Sequence, residues 1–191
     1  MDLLENEVEL VTELCERIRA EREKIKPKTA IKILDIGCGT GKLALYLREE
    51  TGCEVIGIDP ARANVEKARL KSSSVTFTVQ SAEEMTFEDK TFDFAVSLKA
   101  LHEIPNPQEA LRESKRVLKE GGKLFIIDWI GGVPQTSSHG HAKKYFSPEK
   151  LKEALSEAGF TGIKIEVNKE GELMLVEGRK EKKWNIEKIL G

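Results

Sequence analysis

Apolar positions recur at two different periods along this chain, and the switches between them divide it into elements. From residue 3 to about residue 24, Leu4, Val8, Val11, Cys15 and Ile18 return at helical spacing among Glu and Arg, and Pro27 marks the end of that helix. Short β-type runs follow at 31–36, 54–59, 74–80, 92–98 and 123–130. Between them lie helical stretches at 42–50, 60–71 and 106–122. Gly52 closes the first, Pro60 opens the second, and the third starts beside Pro107 and stops at the pair Gly121 and Gly122. A polar loop fills 131–146. "SPEKLKEALSEAGF" (147–160) places Ser at the N-cap and Pro at the first helical position, and Gly159 ends it. Residues 161–180 read as two strands joined at Lys169-Glu170-Gly171, and "WNIEKIL" as a last short helical turn.

Strands alternating with helices predict an α/β fold, a parallel sheet with helices on both faces. The terminal hairpin breaks the alternation, so at least one strand is expected to be antiparallel. The 191 residues suit one domain, and the 39% hydrophobic fraction suits a soluble one. No apolar run approaches the ~20 residues that span a bilayer. The start, "MDLLENEVEL", is acidic and lacks the pattern of a signal peptide, so the expected location is cytoplasmic, with no membrane partner. A net charge of −2 without a basic stripe gives no nucleic-acid partner. Arg179, Lys180, Lys182 and Lys183 read as a solvated tail. Cys15, Cys38 and Cys53 lack metal-ligand spacing and suit a reducing compartment.

The candidate chemistry starts at "ILDIGCGTGKL" (33–43), a strand that runs into three glycines. Ligands of open α/β sheets bind beyond the C-terminal ends of strands, where glycine lets the backbone approach and helix N-termini meet anionic groups. Three ligand classes compete for such a turn. A phosphate-binding P-loop needs G-x-x-x-x-G-K-[S/T], but position 36 is Ile and position 43 is Leu. A dinucleotide loop needs G-x-G-x-x-G, and this spacing is one residue short. The pattern met is D-x-G-x-G-x-G, at Asp35, Gly37, Gly39 and Gly41. The second strand ends in Asp59, 18 residues after Gly41, where a carboxylate can accept hydrogen bonds from two ribose hydroxyls.

From this turn onward the chain resembles the S-adenosylmethionine (SAM)-dependent methyltransferases of class I, in particular the small-molecule branch that includes the ubiquinone and menaquinone enzymes. Besides the glycine turn and Asp59, the resemblance rests on "QSAEEM", "FDFAVSLKALHEI", "LRESKRVLKEGGKLFIIDW" and "KYFSPEKLKEALSEAGF", and it covers about residues 31–178. It implies a Rossmann-like seven-stranded sheet, mostly parallel with an antiparallel C-terminal strand, in the order 3-2-1-4-5-7-6. It implies SAM as cofactor, held by Asp35, Gly37, Cys38, Gly39, Gly41, Asp59, Pro60, Ser81, Ala82, Glu83 and Leu98. Asp35 either bonds the turn's own backbone or helps hold the methionine amino group, and Cys38 reads as turn packing. The family commonly grips adenine with an Asp-Ala pair. Here Ser81-Ala82-Glu83 stands in its place, so the grip falls to the Ser81 hydroxyl and the Ala82 N–H.

The implied activity is transfer of a methyl group to a small-molecule O, N, S or C nucleophile by in-line displacement. A methyltransferase of protein or RNA is the alternative, and a non-catalytic SAM-binding regulatory subunit the second. Family context places Lys99 and His102 near the methyl group, as base or acceptor contact or as a snorkelling lysine and a loop-bonded histidine. Tyr145 is a third catalytic candidate, by cation–π contact or plain packing. His139 and His141, in "SSHGH", are candidate substrate contacts. H-x-H with one distant partner such as Glu103 or Asp128 is a thin metal signature, and no metal is expected. The expected layout is an N-terminal helix over 1–30, either a slight lid or a helix packed on the sheet, a SAM-binding domain over 31–180 and a tail over 181–191. The expected assembly is a monomer or homodimer.

Overall fold

The computed structural model describes residues 3–24 and 30–182. The helix end expected at Pro27, the basic Lys183 and the turn expected in "WNIEKIL" lie outside the described residues. Helix α1 (Glu5–Lys24) leads into β1 (Lys32–Ile36), α2 (Lys42–Thr51), β2 (Glu54–Asp59), α3 (Arg62–Lys71) and β3 (Thr76–Val79). Then come β4 (Phe92–Leu98), α4 (Pro107–Val117), β5 (Leu118–Trp129), α5 (Pro148–Glu157), β6 (Thr161–Val167) and β7 (Leu173–Arg179). The seven strands form one sheet in the order β3-β2-β1-β4-β5-β7-β6, as the resemblance implied. Strands β1 to β5 pair in parallel, and β7 runs antiparallel to both β5 and β6.

Successive strand residues feed opposite faces. In β5, Phe125 and Ile127 join a core with α1, α2 and α3, while Leu124 and Ile126 join a second core with α4 and α5. Central strands buried on both faces need continuous apolar runs, which is why "ILDI" and "KLFII" barely alternate. Helix α2 ends in a left-handed Gly52 (φ 64°) whose N–H returns to Arg48, and Ser147 caps α5 by accepting the Lys150 N–H at 3.3 Å.

Two expectations about boundaries are corrected. The helix read over 106–122 stops at Val117, and Leu118 already pairs with Phe92 in the sheet. Residues 119–122 then form an irregularity before Lys123 resumes the ladder opposite Phe94. Gly121 (φ 82°) takes the left-handed backbone this requires, so the glycine pair shapes a strand rather than ending a helix. In α1 the inward face is Leu10, Val11, Leu14, Cys15 and Ile18, whereas Leu4 and Val8 face solvent. The position left at the inner face near the helix start is taken by Glu7, fully buried.

Candidate functional site

The C-terminal ends of β1, β2, β3 and β4 converge on a cleft of about 300 Å³ lined by Gly37, Asp59, Pro60, Asn64, Gln80, Ser81, Ala82, Glu83, Lys99, Ala100, Glu103, Ile104 and Pro105. Of the residues expected to hold a cofactor, Gly37, Asp59, Pro60, Ser81, Ala82 and Glu83 line it. Asp35, Cys38, Gly39, Gly41 and Leu98 are not among the lining residues. The Cys38 thiol packs where a Cβ on Gly57 would meet it at 2.9 Å, and Leu98 packs on the core. A Cβ on Gly41 (φ 83°) would meet the Phe77 ring at 2.7 Å, so that glycine seats the turn on β3 and α3. Gly39 (φ 52°) faces open space.

Two aspartates support the turn. Asp59 Oδ2 accepts the Gly39 N–H at 2.9 Å, and its Oδ1 accepts the Ala61 N–H at 2.9 Å and the Asn64 amide at 3.2 Å. Asp35, 1% exposed, accepts the Ala44 N–H in the first turn of α2, while its Oδ2 has no hydrogen-bond partner among the described residues. Burial pushes the Asp35 carboxyl up to about 7, against the pull of the Ala44 N–H, and the charge of Asp59 adds to the rise. A buried acceptor oxygen left open is costly unless a donor or the carboxyl's own proton completes it. Across the cleft, the Ser81 hydroxyl donates to Glu83 Oε2 (3.0 Å) and accepts the Glu83 N–H (3.1 Å), and Glu83 Oε1 takes the Asn106 N–H (2.7 Å). These side chains bind one another, and Gln80, whose Oε1 accepts the Thr86 N–H at 2.9 Å, lines the same part of the cleft as Ala82.

The opposite end is built by Lys99 and the segment after it. Lys99 adopts a left-handed backbone (φ 51°), rare for a residue with a side chain, and its N–H bonds Ile127 O at 2.7 Å. Its ammonium lies 5.1 Å from the Trp129 ring centroid and pairs with Glu7 of α1. Glu7 also accepts Lys42 at 2.8 Å and the Leu4 N–H at 2.8 Å. Burial pushes this carboxyl up, and the bonds from Lys42, Lys99 and Leu4 outweigh it, so the Glu7 carboxyl sits below its ordinary range.

His102 and Tyr145 do not line the cleft; they stand next to Glu103, which does. His102 Nδ1 lies 2.6 Å from Asp128 Oδ1, and its N–H bonds Asp128 Oδ2 at 3.2 Å. The Asp128 carboxylate takes the Nδ1 side of the ring and so aims Nε2 at the segment's other carboxylate. Nε2 lies 3.3 Å from Glu103 Oε1, which also takes His141 Nδ1, and Glu103 Oε2 takes Lys144 at 2.9 Å. The Tyr145 ring meets His102 edge-on at 4.8 Å, and its hydroxyl reaches His139 Nδ1 at 3.3 Å. The His139 ring meets Trp129 at 4.7 Å. Asn64, Gln80, Trp129 and Glu7 were not expected here from the sequence, and Glu103 and Asp128 were weighed only as metal partners. For Asp128 a signal existed, an acidic residue at the C-terminal end of a strand; for Glu7 there was none.

Comparison with known proteins matches residues 34–126 to the family model for a methyltransferase domain. Among curated proteins, the O-methyltransferase resE of Aspergillus sclerotiorum is 30% identical over 142 residues, 67% of this chain and 54% of that protein. The chain spans about half the length of the curated relatives it matches. A SAM-dependent methyltransferase structure from Thermotoga maritima superposes with a TM-score of 0.68 at 24% identity, covering 90% of this chain and 92% of that one. The [4+2]-cyclase SpnF superposes with a TM-score of 0.71 at 22% identity, covering 87% and 82%. At such identities these two likenesses show the fold.

Proposed function

From the match of residues 34–126 to a methyltransferase domain and the sheet order of the fold, we propose that the chain transfers a methyl group from SAM to a small-molecule acceptor. The observation that carries the reading is the unpartnered, buried Oδ2 of Asp35 under the glycine turn, next to a cleft bounded by Gly37, Asp59 and Ala82. The amino group of SAM is the donor that this oxygen fits, and Asp59 is the carboxylate for the ribose hydroxyls. When bound, SAM supplies an activated methyl group on a sulfonium sulfur, so this chain's residues have only to position the acceptor and exclude water.

Lys99, Glu103, His102 and Tyr145 form the acceptor end. The named resemblance to O-methyltransferases and the cleft of about 300 Å³ favour a small hydroxyl-bearing acceptor, and the net charge of −2 gives little to attract RNA. With SAM held by these residues, the acceptor oxygen would take the methyl group, and its proton would pass to the Glu103 carboxylate on the cleft wall or to water. We place the protein in the cytoplasm, as a monomer or homodimer; no described helix is long and apolar enough to cross a membrane.

Calorimetry with SAM and S-adenosylhomocysteine tests the donor side. Binding of both is expected, weakened by Asp35→Asn and by Asp59→Asn; no binding of either overturns the reading. Transfer of labelled methyl from SAM to a panel of small phenols, alcohols, amines and thiols tests the acceptor side. Labelling only of protein or RNA from a cell extract supports the macromolecular alternative instead.

A further inference from the structure

We propose that His102, Glu103 and His141 form a binding site for one divalent transition-metal ion at the acceptor end of the cleft. One ligand atom from each of the three lies within 4.8 Å of the other two. His102 Nε2 and Glu103 Oε1 are 3.3 Å apart. A tetrahedral ion with bonds of about 2.0 Å holds its ligand atoms about 3.3 Å apart, so this pair already spans one edge of such a centre. An ion placed between them would meet His141 at the same time, because one ligand atom of His141 lies within the same 4.8 Å.

Two of the three ligands also carry the outer partners that metal ligands have. Asp128, itself buried, takes the Nδ1 side of His102 and turns Nε2 toward Glu103. Lys144 takes Glu103 Oε2, and Oε1 is the oxygen that meets both His102 Nε2 and His141 Nδ1. His102 is held rigidly, by Asp128 on one side and the edge contact with Tyr145 on the other. His141 and Glu103 are 57% and 41% exposed, so an ion can enter and the two side chains can adjust to it. Two imidazoles and one carboxylate suit Zn2+, Fe2+, Co2+ or Ni2+ better than Mg2+ or Ca2+. Three protein ligands leave a further position open, and because Glu103 lines the cleft, that position is available to an oxygen of the acceptor. This last role rests on the methyl-transfer reading; the metal site itself does not.

On this proposal a metal site replaces the expectation of no metal drawn from the sequence. The spacing H-x-H understated it, because Glu103 comes from the segment after β4 and only the fold brings it to His141.

The test uses the full chain without a histidine tag, stripped with a chelator. Zn2+ is titrated by calorimetry and Co2+ by visible absorption, and SAM binding is measured separately on the same preparations. One equivalent of Zn2+ and a Co2+ d–d spectrum of four- or five-coordinate intensity are expected. Glu103→Gln and His141→Ala, both on exposed side chains, should each weaken Zn2+ at least ~10-fold, as should Asp128→Asn through the outer shell. Circular dichroism identifies any variant that fails to fold, and the two surface variants decide the outcome. Zn2+ affinity unchanged in both, or no binding by 100-fold excess of metal over protein, which would mean that a protonated histidine alone bridges the pair, overturns the proposal. Neither result depends on SAM binding or transfer, so failure of the metal site and failure of the methyl-transfer reading are told apart.

Discussion

The Asp59 carboxylate holds the Gly39 N–H at 2.9 Å, a bond that ties the end of β2 to the middle of the glycine turn after β1. The same carboxylate takes the Ala61 N–H and the Asn64 amide, so one side chain fixes the turn, the start of α3 and one wall of the cleft. Asp59→Ala leaves these donors without acceptors, at a cost of about 1–3 kcal/mol, while Asp59→Asn retains one acceptor oxygen. SAM affinity should fall roughly 10- to 100-fold in Asp59→Asn, from loss of charge-assisted bonds. Calorimetry showing equal affinity for Asp59→Asn and the parent protein would remove Asp59 from the binding site.

Asp35 makes stability depend on pH in the direction opposite to an ordinary ion pair. Its folded carboxyl titrates near 7, above the unfolded value of 3.8, so the folded chain binds the proton more tightly. Stability therefore falls as pH rises from about 4 to about 7, by about 4 kcal/mol for a shift of that size, and then levels off. Asp35→Asn removes this slope, raising the melting temperature at pH 8 and leaving it little changed at pH 4. Melting curves of the two proteins that run parallel from pH 4 to pH 8 would contradict the assignment. A bound ammonium group should drive the proton off, so SAM binding at pH 6 is expected to release protons, visible as a binding heat that varies with the buffer's ionisation enthalpy.

Glu7 behaves in the usual acidic sense. Its carboxyl is held below the ordinary range, so its contribution is present above the unfolded pKa of about 4.5 and is lost as pH falls through the lower folded value. Glu7→Ala leaves the partly exposed Lys42 and Lys99 and the Leu4 N–H without this acceptor and should cost about 1–3 kcal/mol. Hydrogen exchange of α1 checks this. The loss should appear as faster exchange across the helix, and unchanged protection would show that Glu7 does not anchor it.

The glycines of the turn should separate under substitution. Gly41→Ala adds an overlap with the Phe77 ring at 2.7 Å to its left-handed backbone cost, and the protein should lose at least ~2 kcal/mol. Gly39→Ala meets nothing within 4 Å and should lose only the ~1–2 kcal/mol of the backbone term. Denaturant unfolding distinguishes them, and equal losses would mean that the overlap relaxes freely.

The element order and the wall formed by Gly37, Asp59, Pro60 and Ala82 were legible from local spacing, a glycine turn, an acidic strand end and a capped helix, while the strand order came only from the family resemblance. The acceptor end was less so. Lys99 and His102 were identified from their place after β4, but their partners Glu7 and Asp128 lie 92 and 26 residues away in the chain, and only sheet order brings them together. Glu7 also defeats the hydrophobic pattern itself, since a buried carboxylate among two lysines looks like any other polar position on a helix. At Gly121 and Gly122 the reverse happened: a strong local stop signal was outvoted by pairing with β4 and by the Gly121 N–H bond to Lys180 O at 2.9 Å.

The sheet order also sets a schedule for synthesis. β5 lies between β4 and β7, and β7 is the last strand of the sheet in chain order. Until residues 173–179 have left the ribosome, β5 has a partner on one side only, and its open edge runs along Phe125, Ile126 and Ile127. A long apolar strand edge is a template for pairing with other chains. A nascent or truncated chain ending before Leu173 would thus present the Phe125, Ile126 and Ile127 edge of β5 to its neighbours, with Asp128 on that same unpaired edge. The C-terminal hairpin is in this sense an internal chaperone, supplied last, and C-terminal deletions are expected to yield insoluble aggregates rather than a smaller working domain.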